Sequence, residues 1–262
     1  AAGWSHPILG VDRSPDNLAA ARGAGAVDAV FEDLGTALPQ ADAIVLAVPV
    51  REILGLLTEV GRLARPGALV MDLGSTKARI LEVMAALPDH VQPLGGHPMC
   101  GKEVSGIEAA DVALYQGRTF IISPLARTSP EALALGEALA RAVGALPLVV
   151  DAERQDYLVG TLSHLPYLLA CALVSTADAT TSSDPLVWQI LASGFRDTSR
   201  VAGSDVTMML DILLTNRDEI TKATRFCVSQ LEHLIRLVEE GDEEHLRSEL
   251  GHIRQTRKEM YP

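Results

Sequence analysis

A chain of 262 residues, rich in Ala and Leu and only 4% aromatic, can bury one large or two medium cores and has the composition of an ordinary globular protein. Its formal net charge of −12, without a Lys/Arg cluster interleaved with aromatics, argues against a nucleic-acid partner but leaves room for an anionic small molecule, where the local field decides. The three cysteines, Cys100, Cys171 and Cys227, are widely spaced and odd in number, so a disulfide framework is not expected and a reducing cytoplasm is the default location.

The first residues, Ala1-Ala2-Gly3-Trp4, read neither as a signal peptide nor as a translation start, and the expectation is that the native protein begins upstream. From residue 8 to about 150, short apolar runs at 8–12, 43–49, 68–73, 91–95, 119–123 and 146–150 alternate with amphipathic stretches at 50–64, 77–87 and 130–143. That alternation predicts a Rossmann-like parallel sheet covered by helices. Ser14-Pro15-Asp16 reads as a helix start, a cap followed by Pro in the first turn.

Asp12 closes the first run and Arg13 follows it. In a dinucleotide-binding fold an acidic residue at this point accepts hydrogen bonds from the adenosine ribose and disfavours a 2′-phosphate, which points to NAD; the same residue type also caps turns. Val48 and Pro49 close the next strong strand, at the carboxyl edge where such cofactors bind. The segment Asp72-Leu73-Gly74-Ser75-Thr76-Lys77 ends another, with Ser75 and Thr76 available to cap the next helix or to face a nicotinamide and substrate. The glycine-rich fingerprint that belongs some twenty residues before Asp12 is absent, so the first strand of the sheet is expected to be missing, exposing the edges of two neighbours.

The stretch Gly95-Gly96-His97-Pro98-Met99-Cys100-Gly101-Lys102-Glu103-Val104-Ser105-Gly106 reads as a glycine-rich turn leaving a strand, its two glycines admitting a bound molecule and its imidazole free to move a proton near an unperturbed pKa. His97-x-x-Cys100 has no second ligand pair, so no metal is expected. After Asp151 strand-like runs stop, and 152–179, 185–201, 205–214, 218–239 and 242–260 read as helices. The division is thus a dinucleotide-binding domain over 1–150 and an all-helical domain over 151–262. The apolar faces of the second favour a homodimer through that half. No stretch reads as long and apolar enough to span a membrane, 162–174 being interrupted by His164 and Pro166.

Taken together, Asp72–Lys77, Gly95-Gly96-His97-Pro98-Met99-x-Gly101-x-Glu103-x-Ser105-Gly106, Ser163-His164-Leu165-Pro166 and Gly194-Phe195-Arg196-Asp197-Thr198-Ser199-Arg200-Val201-Ala202 resemble, in order and over nearly the whole chain, the prephenate/arogenate dehydrogenase family of tyrosine biosynthesis. The resemblance implies an NAD-dependent oxidative decarboxylation of a cyclohexadienol. His97 then takes the ring-hydroxyl proton, and Ser75 holds that hydroxyl and the imidazole. Arg200 binds a substrate carboxylate, with Asp197 orienting it, while Glu103 controls access and His164 reaches the cleft. Two positions depart from the family pattern near the expected substrate arm: Tyr167 stands where many members have a second histidine, and Met209 where tryptophan is frequent. They leave prephenate and arogenate both open. Two rivals remain. A β-hydroxyacid or imine-reducing enzyme would use a lysine in the interdomain helix, and 156–179 contains none. The other is a non-catalytic dimeric binding protein that has lost its cofactor site.

Overall fold

The computed structural model describes residues 6–101, 106–107, 110–181 and 184–260. Its first half is a Rossmann-like α/β unit built from β1 (Leu9–Val11), α1 (Pro15–Gly23), β2 (Ala29–Phe31), α2 (Leu34–Ala37), β3 (Ala43–Leu46), α3 (Val50–Leu63), β4 (Leu69–Asp72), α4 (Ala78–Ala85), β5 (Gln92–Pro98), β6 (Thr119–Pro124), α5 (Pro130–Ala142) and β7 (Leu146–Val149). Ser14 caps α1 as its sequence suggests, accepting the Asn17 N–H.

Among the described residues two sheets form, one of order β1-β2 and one of order β3-β4-β5-β6-β7. Strand β1 pairs with β2 and strand β3 with β4, each on one side. Pairing is parallel throughout except between β5 and β6, which run antiparallel in the register His97 opposite Ile121.

At its centre the sheet is covered by helices on both faces, which is why β4 reads as an uninterrupted buried run. On one face Val70 packs with Ile53 and Leu57 of α3 and with Ile80 and Met84 of α4. On the other, Leu69, Met71 and Leu94 pack with Ala132 and Ala140 of α5.

The second half is helical: α6 (Ala152–Val159), α7 (Leu165–Thr181), α8 (Ser193–Ser199), α9 (Val206–Thr215), α10 (Arg217–Glu240) and α11 (Glu243–Met260). The stretch read as one helix over 152–179 is interrupted by a π-turn at Gly160–His164, where the Leu165 N–H bonds to the Gly160 carbonyl. Pro166 explains the interruption: it has no N–H to return to the previous turn, so the wider turn takes up the slack. The stretch at 185–201 is likewise divided, into a 3-10 turn at Pro185–Gln189, α8, and a second 3-10 turn at Arg200–Gly203. Gly241 ends α10 in the left-handed conformation, φ 65°, that glycine adopts without strain.

Taken as one rod, Ala152–Thr181 has the length to cross a membrane and contains an 18-residue stretch with a mean hydropathy of 1.6, which corrects the expectation that no stretch is long and apolar enough. That rod carries buried Gln155, Asp156 and His164, whose hydrogen bonds reach other elements of the same chain. The helical half has a small core, Met209, Ile212 and Ile220 packed with Tyr167, Leu168 and Leu213.

Candidate active site

His97 does not sit on a turn. It is in β5, and the two glycines before it are strand residues buried in the sheet. A Cβ on Gly96 would stand 2.7 Å from the Asp72 carbonyl oxygen and 2.5 Å from Met71 Cε, and one on Gly95 would stand 3.1 Å from the Ser123 carbonyl oxygen. These glycines therefore serve close strand packing, not the approach of a ligand, as had been expected. What they achieve is positional: β4 can end beside β5, with the loop from Asp72 to Lys77 against the imidazole.

That loop holds a buried ion pair. Lys77 Nζ donates to Asp72 Oδ2, and neither side chain is exposed to solvent. Asp72 also accepts the N–H groups of Gly74 at 2.8 Å and Gly96 at 3.3 Å. Burial pushes the Asp72 carboxyl up and the Lys77 ammonium down, and each group's charge opposes the other's shift.

Ser75 and Thr76 do not cap α4. Asp156 of α6 does so from the helical half: its Oδ1 accepts the Lys77 N–H at 2.7 Å and its Oδ2 the Ala78 N–H at 2.9 Å. A carboxylate there meets the positive end of the helix. The Thr76 hydroxyl is 2.8 Å from that of Thr215, which in turn donates to the Asp211 carbonyl, so Thr76 is the donor. Asp211 accepts the Arg51 N–H in the first turn of α3 at 3.0 Å. The two halves are thus joined through the N-termini of α3 and α4.

The His97 side chain stands at this seam. It is partly exposed, but its Nδ1 is buried without a hydrogen-bond partner among the described residues. Its pKa is lowered to about 3, first by burial and then by the charges of Lys77 and His164, while Gln155 acts the other way. The imidazole is therefore neutral throughout the neutral pH range, and far from the unperturbed value expected from the sequence.

Gln155 Nε2 donates to Asp156 Oδ1 at 3.1 Å and to the Ser75 carbonyl at 3.5 Å, and its Oε1 is buried without a partner. His164, held in the π-turn and buried, has its pKa lowered to about 4 by burial. His97, Ser75 and His164 thus converge, joined by three groups that sequence reading passed over: Lys77, Gln155 and Asp156. A signal for the last two existed. Ala152, Gln155, Asp156 and Val159 form the buried stripe of α6 at helical spacing, so two polar residues lie where apolar ones belong.

The other expected site residues lie elsewhere. Asp12 and Arg13, at the carboxyl end of β1, and Val48 and Pro49, at that of β3, are all exposed. The Asp12 carboxylate accepts from the Ser14 N–H at 2.8 Å and from Asn17 Nδ2 at 3.3 Å, while Arg13 pairs with Glu52 of α3 at 3.2 Å. Asp197 on α8 and Arg200 in the following 3-10 turn are exposed on elements packed against α7. Tyr167 and Met209 pack with each other's neighbours in the small helical core. Glu103 lies outside the described residues.

Among the described residues no group of three or more His, Cys, Asp or Glu is placed to hold a metal ion. A cleft of about 530 Å³, lined by Arg79, Glu153, Asp156, Asn216, Arg217 and Glu219 among others, abuts the same polar network without including His97.

Comparison with known proteins gives this arrangement its family. The family model for the prephenate dehydrogenase nucleotide-binding domain matches residues 1–147, and that for the prephenate dehydrogenase dimerization domain matches 151–252. Prephenate dehydrogenase of Bacillus subtilis strain 168 is 31% identical over 250 residues, 92% of this chain and 67% of its own length. The chain spans 60–67% of the length of two curated prephenate dehydrogenases that it matches.

The structure of prephenate dehydrogenase from Aquifex aeolicus in complex with hydroxyphenyl propionate and NAD+ superposes with a TM-score of 0.92 at 29% identity, covering 99% of this chain and 91% of that one. Synechocystis arogenate dehydrogenase superposes with a TM-score of 0.85 at 28% identity, covering 98% of this chain and 92% of that one. With both domain models matched in order over almost its full length, the chain belongs to the prephenate dehydrogenase family of oxidoreductases.

Proposed function

We propose that the protein oxidises and decarboxylates prephenate to 4-hydroxyphenylpyruvate with NAD, as a cytoplasmic homodimer joined through its helical half. The observation that carries this reading is the neutral, partly exposed imidazole of His97 at the seam between the halves, with Lys77 and His164 beside it.

The residues present fit a dinucleotide. Asp12, Arg13, Val48 and Pro49 lie exposed at the carboxyl ends of parallel strands, and the polar Ser75 loop and the orphaned His97 Nδ1 stand where a reacting group needs partners. Asp12 would hold the ribose hydroxyls, Val48 and Pro49 the cofactor's flank, and Ser75 its nicotinamide end. When bound, the nicotinamide accepts the hydride that leaves the hydroxyl-bearing ring carbon.

His97 takes the hydroxyl proton as that hydride departs. The bond to the ring carboxylate then breaks, carbon dioxide leaves, its electron pair enters the ring, and the phenolate recovers the proton from His97. The ring gains aromaticity, so the protein's task is mainly alignment and polarisation of one O–H bond. A dianionic substrate beside the imidazole favours its protonated form, which offsets the effect of burial and Lys77. In this reading Arg200 receives a substrate carboxylate through its planar fork, Asp197 orients it, Tyr167 lines the substrate arm and Glu103 guards the entrance.

Steady-state comparison of prephenate and arogenate, each with NAD and NADP, tests the assignment in the full-length protein. Prephenate with NAD is expected to give the highest kcat/KM. His97→Asn is expected to lower kcat by about 10²–10⁴-fold with NAD affinity retained. Near-normal turnover in that variant removes His97 as proton acceptor, and a preference for arogenate moves the substrate to the amino-acid form. The homodimer has its own test. Phe226 on α10 is 68% exposed and Leu162 72%, and Phe226→Asp is expected to shift sedimentation towards monomer.

A further inference from the structure

Asn216 occupies the junction where α9 ends and α10 begins, a place where asparagine ordinarily caps the second helix through its side chain. It does not do so here. The side chain is buried, 5% exposed, and turns inward to α6 and the π-turn. Its Nδ2 donates to the Asp156 carbonyl at 2.8 Å and lies 3.3 Å from His164 Nδ1.

The first contact fixes the amide's orientation. A carbonyl oxygen accepts only, so the atom facing it carries hydrogens and the two ends of the amide cannot be exchanged. The same nitrogen then offers its second hydrogen to His164, which requires Nδ1 to be the bare, accepting nitrogen of the ring. The ring proton must sit on Nε2, on the side of the imidazole turned away from Asn216.

We infer that Asn216 is a positioning residue that holds His164 as the Nε2–H tautomer, making it a neutral donor for an oxygen acceptor on the substrate, a carboxylate or a carbonyl. Its role as donor rests on the function proposed above; the tautomer does not. Protonation of Nδ1 would set two donors against each other, so the same contact opposes the charged ring, in the direction that burial also drives it. Asp156 links the pieces: its carbonyl orients Asn216, while its carboxylate caps α4 beside Lys77, so one residue of α6 aligns groups of both halves.

The test is ¹⁵N–¹H NMR of histidine-labelled full-length protein at neutral pH, with the His164 signal assigned by its loss in His164→Asn. In the wild type the ring is expected to carry hydrogen on Nε2 and none on Nδ1; hydrogen on Nδ1 overturns the inference before any variant is made. Asn216→Asp replaces the donor by an acceptor and is expected to move the proton to Nδ1. Asn216→Leu removes the preference and gives a mixture of tautomers. An unchanged Nε2–H ring in both variants assigns the tautomer to something other than Asn216 and sinks the proposal.

In kinetics, Asn216→Asp is expected to raise the KM for prephenate roughly tenfold or more, with the KM for NAD unchanged. The inverted tautomer with an unchanged KM retains the positioning and removes the donor role. Absence of prephenate turnover in the wild type would count against the proposed function and leave the NMR result standing.

Discussion

The two halves treat their charges and apolar surface in opposite ways. The α/β half closes on itself: Ile53, Leu57, Val70, Ile80 and Leu94 are fully buried between sheet and helices, and its Asp72–Lys77 pair is sealed with them. The helical half keeps only a few apolar residues inside and leaves Leu162, Phe226 and Val238 at its surface, with ion pairs such as Lys222–Glu219 on the outside of α10. The difference teaches that the first half reaches its shape through its own core, whereas the second is organised around surfaces, one against the first half and, in the proposed homodimer, one against a second copy. The proposed chemistry lies at the join, where the α/β half supplies His97 and the helical half brings His164.

The sharpest way to break this comparison is to remove one cation from each half. Lys77→Met leaves the Asp72 carboxylate buried without its counter-charge, and a loss of about 3–5 kcal/mol in urea unfolding is expected. Lys222→Met removes an exposed, solvent-screened partner of Glu219 and is expected to leave the urea midpoint nearly unchanged. Equal effects would mean that the buried pair is not held as charged groups. The double variant Asp72→Asn with Lys77→Met is expected to recover much of the loss, because it removes the orphaned charge.

Acid sharpens the contrast further. His164 ionises near 6.5 when unfolded but has its pKa lowered to about 4 in the fold. Between those values the unfolded chain binds more protons, so stability falls as pH drops from 6.5 to 4 and levels off below. The contribution is on the order of 3 kcal/mol, and His97 adds in the same direction down to about 3. Urea midpoints measured across this range are expected to lose part of their slope in His164→Asn. An unchanged slope would locate the acid sensitivity elsewhere.

Much of this architecture is legible in the chain, for reasons particular to each element. The strand at Leu69–Asp72 announces itself because it is buried on both faces and so opens as a continuous apolar run, and Ala43–Leu46 is as apolar although its Val45 is exposed. Ala29–Phe31 escapes reading because three residues between Asp28 and Glu32 are too short to show a period. Gly95 and Gly96 mislead because a turn and a tight strand crossing ask for the same residue, and only the neighbouring Asp72 carbonyl and Ser123 carbonyl distinguish them. Lys77 misleads differently: at a helix start it resembles any exposed lysine, and its burial follows from a partner five residues back across a strand–helix turn. The motif around His97 marks where the proposed chemistry lies. Gln155 and His164, which stand beside the imidazole, come from helices distant in sequence, and no local pattern joins them to it.

The smallest expected effect tests whether the join is adjusted from the helical side. Asp211, 4% exposed on α9, accepts the Arg51 N–H at 3.0 Å and lies 3.9 Å from the Arg51 guanidinium, which is largely in solvent. Its charge meets the positive end of α3, the helix that follows the Val48–Pro49 loop, and Pro49 at the cap offers no side-chain acceptor of its own. Asp211→Asn keeps an acceptor of the same shape and removes only the charge, so a loss of about 0.5–1 kcal/mol is expected. Because that helix end also borders the proposed cofactor edge, the same variant is expected to change the KM for NAD more than that for prephenate. A loss of several kcal/mol would instead mean that Asp211 holds the two halves together, and the helical half would then be a structural requirement of the first rather than its partner in alignment.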